Sequence, residues 1–456
     1  MTLVPFTDET QAISYVFESL AASDWRGRGL DEHTRDLTPT RKLLAALDQP
    51  DTSREYAVVT GSKGKGSVSA ITAALLQSLG HRVGLLTSPH LTTYRQRFRV
   101  DGRMMSEADL VRHINAIRPH VDEIRATLKP GTYISPQGIF LAVALRWFDE
   151  QGVTCAVIEV GRGGRFDDNA LVPNKLSLFT PILLEHTRYL GDTVARIAWH
   201  KAGIIKPNSF AYSLSQTPDA LAVLQAEAES KDANFDWLAP IDSGVWLDDL
   251  PDGQRVEFGR YGAVDLPLMG RYEIANASLA IWGAGNMHAR LESPIKHGMP
   301  EYVAAIRAGL ERVQWPGRCQ RLATAPDVYV DGAINVHSAS SFIESVRGRL
   351  SAPVVTVLAV PLDRDVAGVY AQFAPVSDAL ILTTSPRNIT IKFPRSTEAV
   401  RLAAALHDDV SWADDVATAI ETATARAGRD GVVLLALAQP AIGDTMAYYG
   451  LTFEQI

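Results

Sequence analysis

Residues 56–67 read YAVVTGSKGKGS and run straight into VSAITAALLQSLG, residues 68–80. Tyr56 to Val59 form a short aromatic and β-branched run of the kind found in a buried parallel strand. Gly61, Gly64 and Gly66 then leave no Cβ in the way of a ligand. Backbone N–H groups can close around phosphate oxygens at the start of the following helix, where the helix dipole favours anions. Lys65 adds a point charge for the outer phosphates, and the Ser67 hydroxyl is within reach of a bound Mg²⁺. The general P-loop formula is not matched residue for residue, because Gly66 stands between the lysine and the serine. The competing reading is an ordinary glycine-rich turn between a strand and a helix, and the rest of the chain weighs against it.

A chain of 456 residues exceeds one ordinary core, so two domains are expected. Hydrophobic content of 46% with 21% charged residues describes a globular protein. The formal net charge of −8, without a long basic run, speaks against a nucleic-acid partner. Cys155 and Cys319 are the only cysteines and fall outside any CxxC or Cys/His spacing. A zinc site or disulfide framework is therefore not expected, and a reducing cytosol fits. The amino-terminal MTLVPFTDETQAISYVFESL lacks a basic-then-apolar signal. The longest apolar run, GVVLLALAQPAIG (residues 431–443), is too short to span a membrane and reads as a core strand. The expectation is a cytoplasmic protein with no membrane partner.

Taken in order, residues 10–49 read as helices, with Thr38 or Thr40 placed to cap the second. The basic stretch DWRGRGLDEHTRD (residues 24–36) between them reads as a solvated linker. After the glycine loop and its helix, Gly80 supplies a stop and RVGLLTS is a second strand ending at Ser88. A hydroxyl at a strand's carboxyl end serves as a helix cap or as a metal ligand. Two helices follow, and then VTCAVIEV, a third buried strand. Its Glu159 is a carboxylate in an apolar run, which implies pairing or coordination. GRGGRFDDN is a second glycine-rich turn, and LSLFTPI is a fourth strand leading to Glu185-His186. DTVARIAWHKAGIIKP reads as a helix capped by Asp192. By itself His186 there is a surface or cap histidine and Lys201 a snorkelling lysine. Asn276 lies on the first turns of a helix rich in small residues. Trp315-Pro316-Gly317-Arg318 breaks the pattern, placing domains at 1–313 and 314–456. The second domain restarts strand/helix alternation with VYVDGA, VVTVLAV, DALILTT and GVVLLALA as strands of a parallel sheet.

Seven motifs now stand in one order: VTGSKGKGS; LTSPHL followed by RFRVDG; IEVGRGGRFD; HT-x-x-LGDT with KAGIIK; LPLMGRY-x-x-x-NASLA; WPGR; and DGAIN. In them the chain resembles the folylpolyglutamate synthase and dihydrofolate synthase family of the Mur ligase superfamily, over nearly its whole length. The resemblance implies an α/β fold: a P-loop ATPase domain with a mostly parallel sheet, then a smaller Rossmann-like domain, with the active site between them. It implies that ATP phosphorylates a substrate carboxylate and that an amino group, commonly glutamate's, attacks the acyl phosphate. Gly64, Lys65, Gly66 and Ser67 would hold the nucleotide phosphates. Ser88, Glu159 and His186 would hold Mg²⁺ with Ser67 near it, K⁺ being left open as a further ion. Lys201 aligns with a lysine that becomes a carbamate, so that Lys65, Lys201 and His186 form the catalytic set. Asn276 matches an adenine contact, Arg318 a phosphate contact from the second domain, and Asp331 a ribose or nucleotide contact. The partners implied are a small carboxylic acid and glutamate, acting on a monomer.

The chain also departs from that pattern. Tyr133-Ile134-Ser135-Pro136-Gln137 stands where the family carries aromatic-Glu-aromatic beside the pterin. Ile334 replaces a histidine in DGAIN, Glu185 replaces an aspartate, and Ala438-Gln439-Pro440 replaces Gly-Ser. An unmade hydrogen bond to a buried heterocycle costs about 1–3 kcal/mol, so folates are expected to be poor substrates beside some other carboxylic acid. Glutamate addition to a folate remains the leading activity. The rivals are the same chemistry on a non-folate acid of specialised metabolism, a non-catalytic nucleotide-binding protein, and a small-molecule kinase. Neither of the last two needs Glu159, His186 and Lys201 together.

Overall fold

The computed structural model describes residues 4–49, 53–387 and 391–456. The first three residues of the amino-terminal stretch read above lie outside them. The first sheet holds β1 (Glu55–Thr60), β2 (Val83–Leu86), β3 (Phe98–Val100), β4 (Arg103–Met104), β5 (Cys155–Glu159), β6 (Leu176–Phe179), β7 (Phe210–Leu214) and β8 (Asn234–Leu238). Their order is β4-β3-β2-β5-β1-β6-β7-β8. All pairs are parallel except the antiparallel β2–β3 and β3–β4 edge. Alternation along β1 explains its uniformly apolar sequence. Tyr56 and Val58 enter the core on one face with the helix Pro136–Glu150, while Ala57 and Val59 pack on the other with the helices Lys65–Ser78 and Tyr272–His288.

A small antiparallel sheet follows, β9 (Val245–Leu250), β10 (Gly253–Glu257) and β11 (Ala263–Leu266), in the order β11-β10-β9. The third sheet holds β12 (Gln320–Thr324), β13 (Asp327–Asp331), β14 (Val354–Ala359), β15 (Ala379–Leu382), β16 (Val410–Trp412) and β17 (Val432–Leu437), ordered β12-β13-β17-β14-β15-β16. It is parallel apart from β12 at its edge. The tail then returns to the first sheet, where Met104 N donates to Glu454 O at 2.9 Å and Arg103 bridges to Gln455.

Four local expectations are corrected. The helix Thr38–Ala46 has Leu37 at its cap, and the Asp36 carboxylate accepts from Thr38 N at 2.8 Å, so neither threonine caps it. The helix Val194–Ala202 is capped by Thr193, whose hydroxyl accepts from Arg196 N; Asp192 lies one residue too early. The run at residues 431–443 is strand only as far as Leu437, and Gln439–Tyr448 is a helix with Pro440 in its first turn. Residues 24–36 are no solvated linker. They contain the helix Asp31–Thr34 and dock on the second glycine-rich turn through Arg162–Asp31 at 3.0 Å and an Arg35–Asp168 ion pair, with Asp168 wholly buried. Long polar side chains made this stretch look solvated, whereas carboxylates on distant elements take up its charges.

Candidate active site

Strand ends and helix starts build the site. β1 ends at Thr60, and the chain turns through Gly61 at φ +140° and Gly64 at φ +87° before the helix begins at Lys65. Both φ values belong to glycine. The turn also requires its empty Cβ positions, since a Cβ on Gly64 would lie 2.6 Å from Asn276 Oδ1 and one on Gly66 would lie 2.6 Å from the Trp315 ring. Asn276 therefore rests directly on the loop. Lys65 Nζ folds back on its own loop, donating to Gly61 O at 3.2 Å. Lys201 Nζ donates to the same carbonyl at 2.7 Å.

A cavity of about 270 Å³ opens above this loop. Gly64, Lys65, Gly66, Ser67, Ser88, Glu159, Asn276, Arg318 and Asp331 line it, so residues from both parallel sheets meet there. His186 and Lys201 do not line it. Lys201 is held against the loop by its bond to Gly61 O, 1% exposed, with its Nζ 3.7 Å from Glu185 Oε1. Lys201 is therefore no snorkelling lysine. Burial pulls it down to about 8, against the opposing pull of Glu185. Burial would raise Glu185, but Lys201 and then Lys65 hold it below the ordinary carboxylate range. His186 takes a left-handed φ of +51°, and burial lowers it to about 3, so the imidazole is neutral and keeps a lone pair.

Glu159 ends β5 and is buried, its Oε2 accepting from Ser88 N at 2.9 Å. Burial raises its pKa, with Lys65 the largest opposing influence. Ser88 is thus tied to the strand end by its backbone and does not cap a helix. Asp331 ends β13, where its Oδ2 accepts from Tyr272 OH at 2.5 Å and from Cys319 N at 2.7 Å.

Several contributors are not among the residues singled out from the sequence. Glu273 is completely buried and accepts from Ser67 Oγ at 2.7 Å and from Asn276 Nδ2 at 2.9 Å. It lies three residues before Asn276, one helical turn away, and that spacing is the one signal the sequence carried. Burial raises it to about 7. Lys63, Tyr272, His337, Ser338 and Ser341 also line the cavity.

These donors suit a hard cation. Ser67 donates its hydroxyl hydrogen bond to Glu273, which leaves its oxygen lone pairs free, and Glu159 brings a buried carboxylate to the cavity wall. Among the described residues no three His, Cys, Asp or Glu side chains form a metal cage. The oxygens of Ser67 and Glu159 are of the kind Mg²⁺ binds, since that ion takes few protein ligands and completes its shell with water and phosphate oxygens. As an ammonium Lys201 cannot ligate a metal.

With this geometry in place, comparison with known proteins is decisive. A model described as Mur ligase, glutamate ligase domain, matches residues 317–437. The chain is 32% identical over 448 residues to a dihydrofolate synthase/folylpolyglutamate synthase of Mycobacterium tuberculosis, covering 92% of this chain and 88% of that protein. The chain belongs to the dihydrofolate synthase/folylpolyglutamate synthase family. A solved Mycobacterium tuberculosis folylpolyglutamate synthase complexed with ADP superposes with TM-score 0.83 at 29% identity, covering 98% of this chain and 100% of that one. An FPGS–AMPPCP–folate complex superposes with TM-score 0.76 at 25% identity, covering 96% and 99%. The two-domain α/β architecture is that of the family's solved members. Among the described residues no helix is long and apolar enough to cross a membrane.

Proposed function

We propose that this chain is an ATP- and Mg²⁺-dependent carbon–nitrogen ligase that joins glutamate to a folate through an acyl phosphate, releasing ADP and phosphate. The observation that carries the reading is the shared cavity, in which the Lys65 loop and Glu159 are joined by Arg318 and by Asp331 of the third sheet. The family's named members support the folate, the glutamate and the nucleotide. Residues 1–313 are taken as the ATPase domain and residues 314–456 as the ligase domain.

The roles follow from chemistry. Backbone N–H groups from Gly64 to Ser67 donate to the nucleotide phosphates at the helix start. Lys65, swinging from Gly61 O, and Arg318 neutralise charge on the transferring group, where preorganised donors contribute most. Asn276 faces the adenine and Asp331 the ribose. Mg²⁺, when bound, spreads the phosphate charge, and Ser67, Ser88 and Glu159 are the residues placed to hold it. Lys201 becomes a ligand only after CO₂ converts it to a carbamate, and neutral His186 joins it at a metal. Depressed basicity favours that conversion, because the neutral amine is the nucleophile.

A second reading keeps the chemistry and changes the acid. Ser135 and Ile334 favour it, since the family places a glutamate and a histidine at those positions. The test measures phosphate release with Mg-ATP for dihydropteroate, tetrahydrofolate and other acids, each with glutamate and other amino acids, followed by product mass. Efficiency with a pterin of about 10⁴ M⁻¹s⁻¹ or above, abolished by Lys65→Ala, would support the folate reading and overturn the expectation that folates are poor substrates. Release with another acid alone would transfer the reading to that acid. Near-normal release by Lys65→Ala would remove the loop from the mechanism.

A further inference from the structure

Lys63 is the lysine of the glycine loop that has no task yet. Lys65 and Lys201 both donate to Gly61 O, which uses both lone pairs of that carbonyl. Among the described residues Lys63 makes neither a hydrogen bond nor an ion pair, although it is half-buried and lines the same cavity. Its surroundings come from both domains. Glu185 attracts it from the first, while Arg364 and Arg318 of the second repel it, as does Lys65 beside it. Glu185 does not satisfy it, because the ion pair of that carboxylate is with Lys201. A cation held among other cations, without a partner, is costly unless an anion arrives.

Position decides which part of the anion it meets. The N–H groups at the helix start, Gly64 onwards, serve the inner phosphates. Lys63 precedes them in the loop, lines the cavity with Arg318 and feels the charges of Arg318 and Arg364 from the second domain. We propose that Lys63 is a second phosphate-binding lysine of the loop, whose ammonium grips the terminal phosphoryl group of the nucleoside triphosphate and follows it to the acceptor. This rests on the ligase reading above. In the step, a carboxylate oxygen forms a bond to the terminal phosphorus. The bond from that phosphorus to the bridging oxygen breaks, and its electron pair stays on the departing diphosphate. Lys63 keeps its proton throughout and donates hydrogen bonds to the equatorial oxygens.

The test measures equilibrium binding of Mg-AMPPCP and Mg-ADP to the full chain, without an acid substrate, in the wild type, Lys63→Met and Lys63→Arg. A charge-assisted hydrogen bond to the terminal group predicts that Lys63→Met loses about tenfold or more for AMPPCP. ADP binding should change by less than about threefold, which also reports that the variant is folded. Lys63→Arg should keep most of the preference for the triphosphate. Equal losses for the two nucleotides in both variants, or unchanged AMPPCP binding by Lys63→Met, would overturn the assignment. Failure of the parent reading looks different: wild-type protein that prefers AMPPCP through Lys63 yet releases no phosphate with any acid would refute the ligase and leave the lysine's role intact.

Discussion

Gly61→Ala is the most demanding perturbation of the loop. At φ +140° an alanine enters a region reserved for glycine, costing about 1–3 kcal/mol of backbone strain. Its Cβ would stand 1.9 Å from Thr180 Oγ1 and 2.7 Å from Thr180 O. A rotamer change moves the hydroxyl but not the carbonyl. Thr180 is held through its own N–H, which donates to Thr60 O at 2.9 Å. The ends of β1 and β6 must therefore separate, adding about 1–3 kcal/mol of overpacking. The Gly61 carbonyl moves with them and strains its bond from Lys201, worth about 1 kcal/mol more. The sum is about 3–7 kcal/mol. Gly80→Ala is the control, because φ is +88° there and nothing lies within 4 Å of the added Cβ. Strain alone should cost about 1–2 kcal/mol at that site. Urea unfolding of the two variants, with nucleotide binding measured alongside, separates clash from strain. If Gly61→Ala loses no more stability than Gly80→Ala, the packing argument for the loop is refuted.

Lys201→Ala should abolish turnover with partial rescue by short carboxylates, and intact active protein should carry the mass of one added CO₂; a plain ammonium in active enzyme would sink the carbamate. Asp168→Ala leaves Arg35 buried without its partner and removes the acceptor of Thr40 Oγ1, a 2.6 Å bond, so about 3–5 kcal/mol of stability should be lost in urea; a loss below about 1 kcal/mol would return residues 24–36 to linker status. His81 and His288 meet at 2.8 Å, and burial, then His288, lowers His81 from 6.5 to about 4. The unfolded chain binds that proton first, so stability is complete above pH 6.5 and falls as pH drops towards 4, by on the order of 3 kcal/mol. Urea midpoints across that range should flatten in His81→Asn, and an unchanged slope would refute the assignment.

The sequence by itself determined what depends on near neighbours in the chain. The alternation in YAVVT specifies a strand buried on both faces, and Gly61 and Gly64 specify a turn that L-residues resist. Glu159 could be read at a strand end because an acid closing an apolar run is costly inside a core, whereas Asp331 was implied by the family resemblance. Cap positions went astray by one residue at Thr193, where adjacent Asp and Thr compete on nearly equal terms. Only the tertiary structure decided the partners of the charged groups. Lys65 and Lys201 converge on one carbonyl from positions more than a hundred residues apart in the chain. Arg35 and Asp168 are as distant, and their pairing turns an apparent linker into a wall of the fold. Glu273 looks like a surface acid of a helix until Ser67 and Asn276 close over it. Lys63 and Lys65 both stand in the glycine loop, and among the described residues Lys65 is hydrogen-bonded while Lys63 has neither a hydrogen bond nor an ion pair. Coulombic and hydrogen-bonding partners act through space, so their assignment waits until the chain has brought them together.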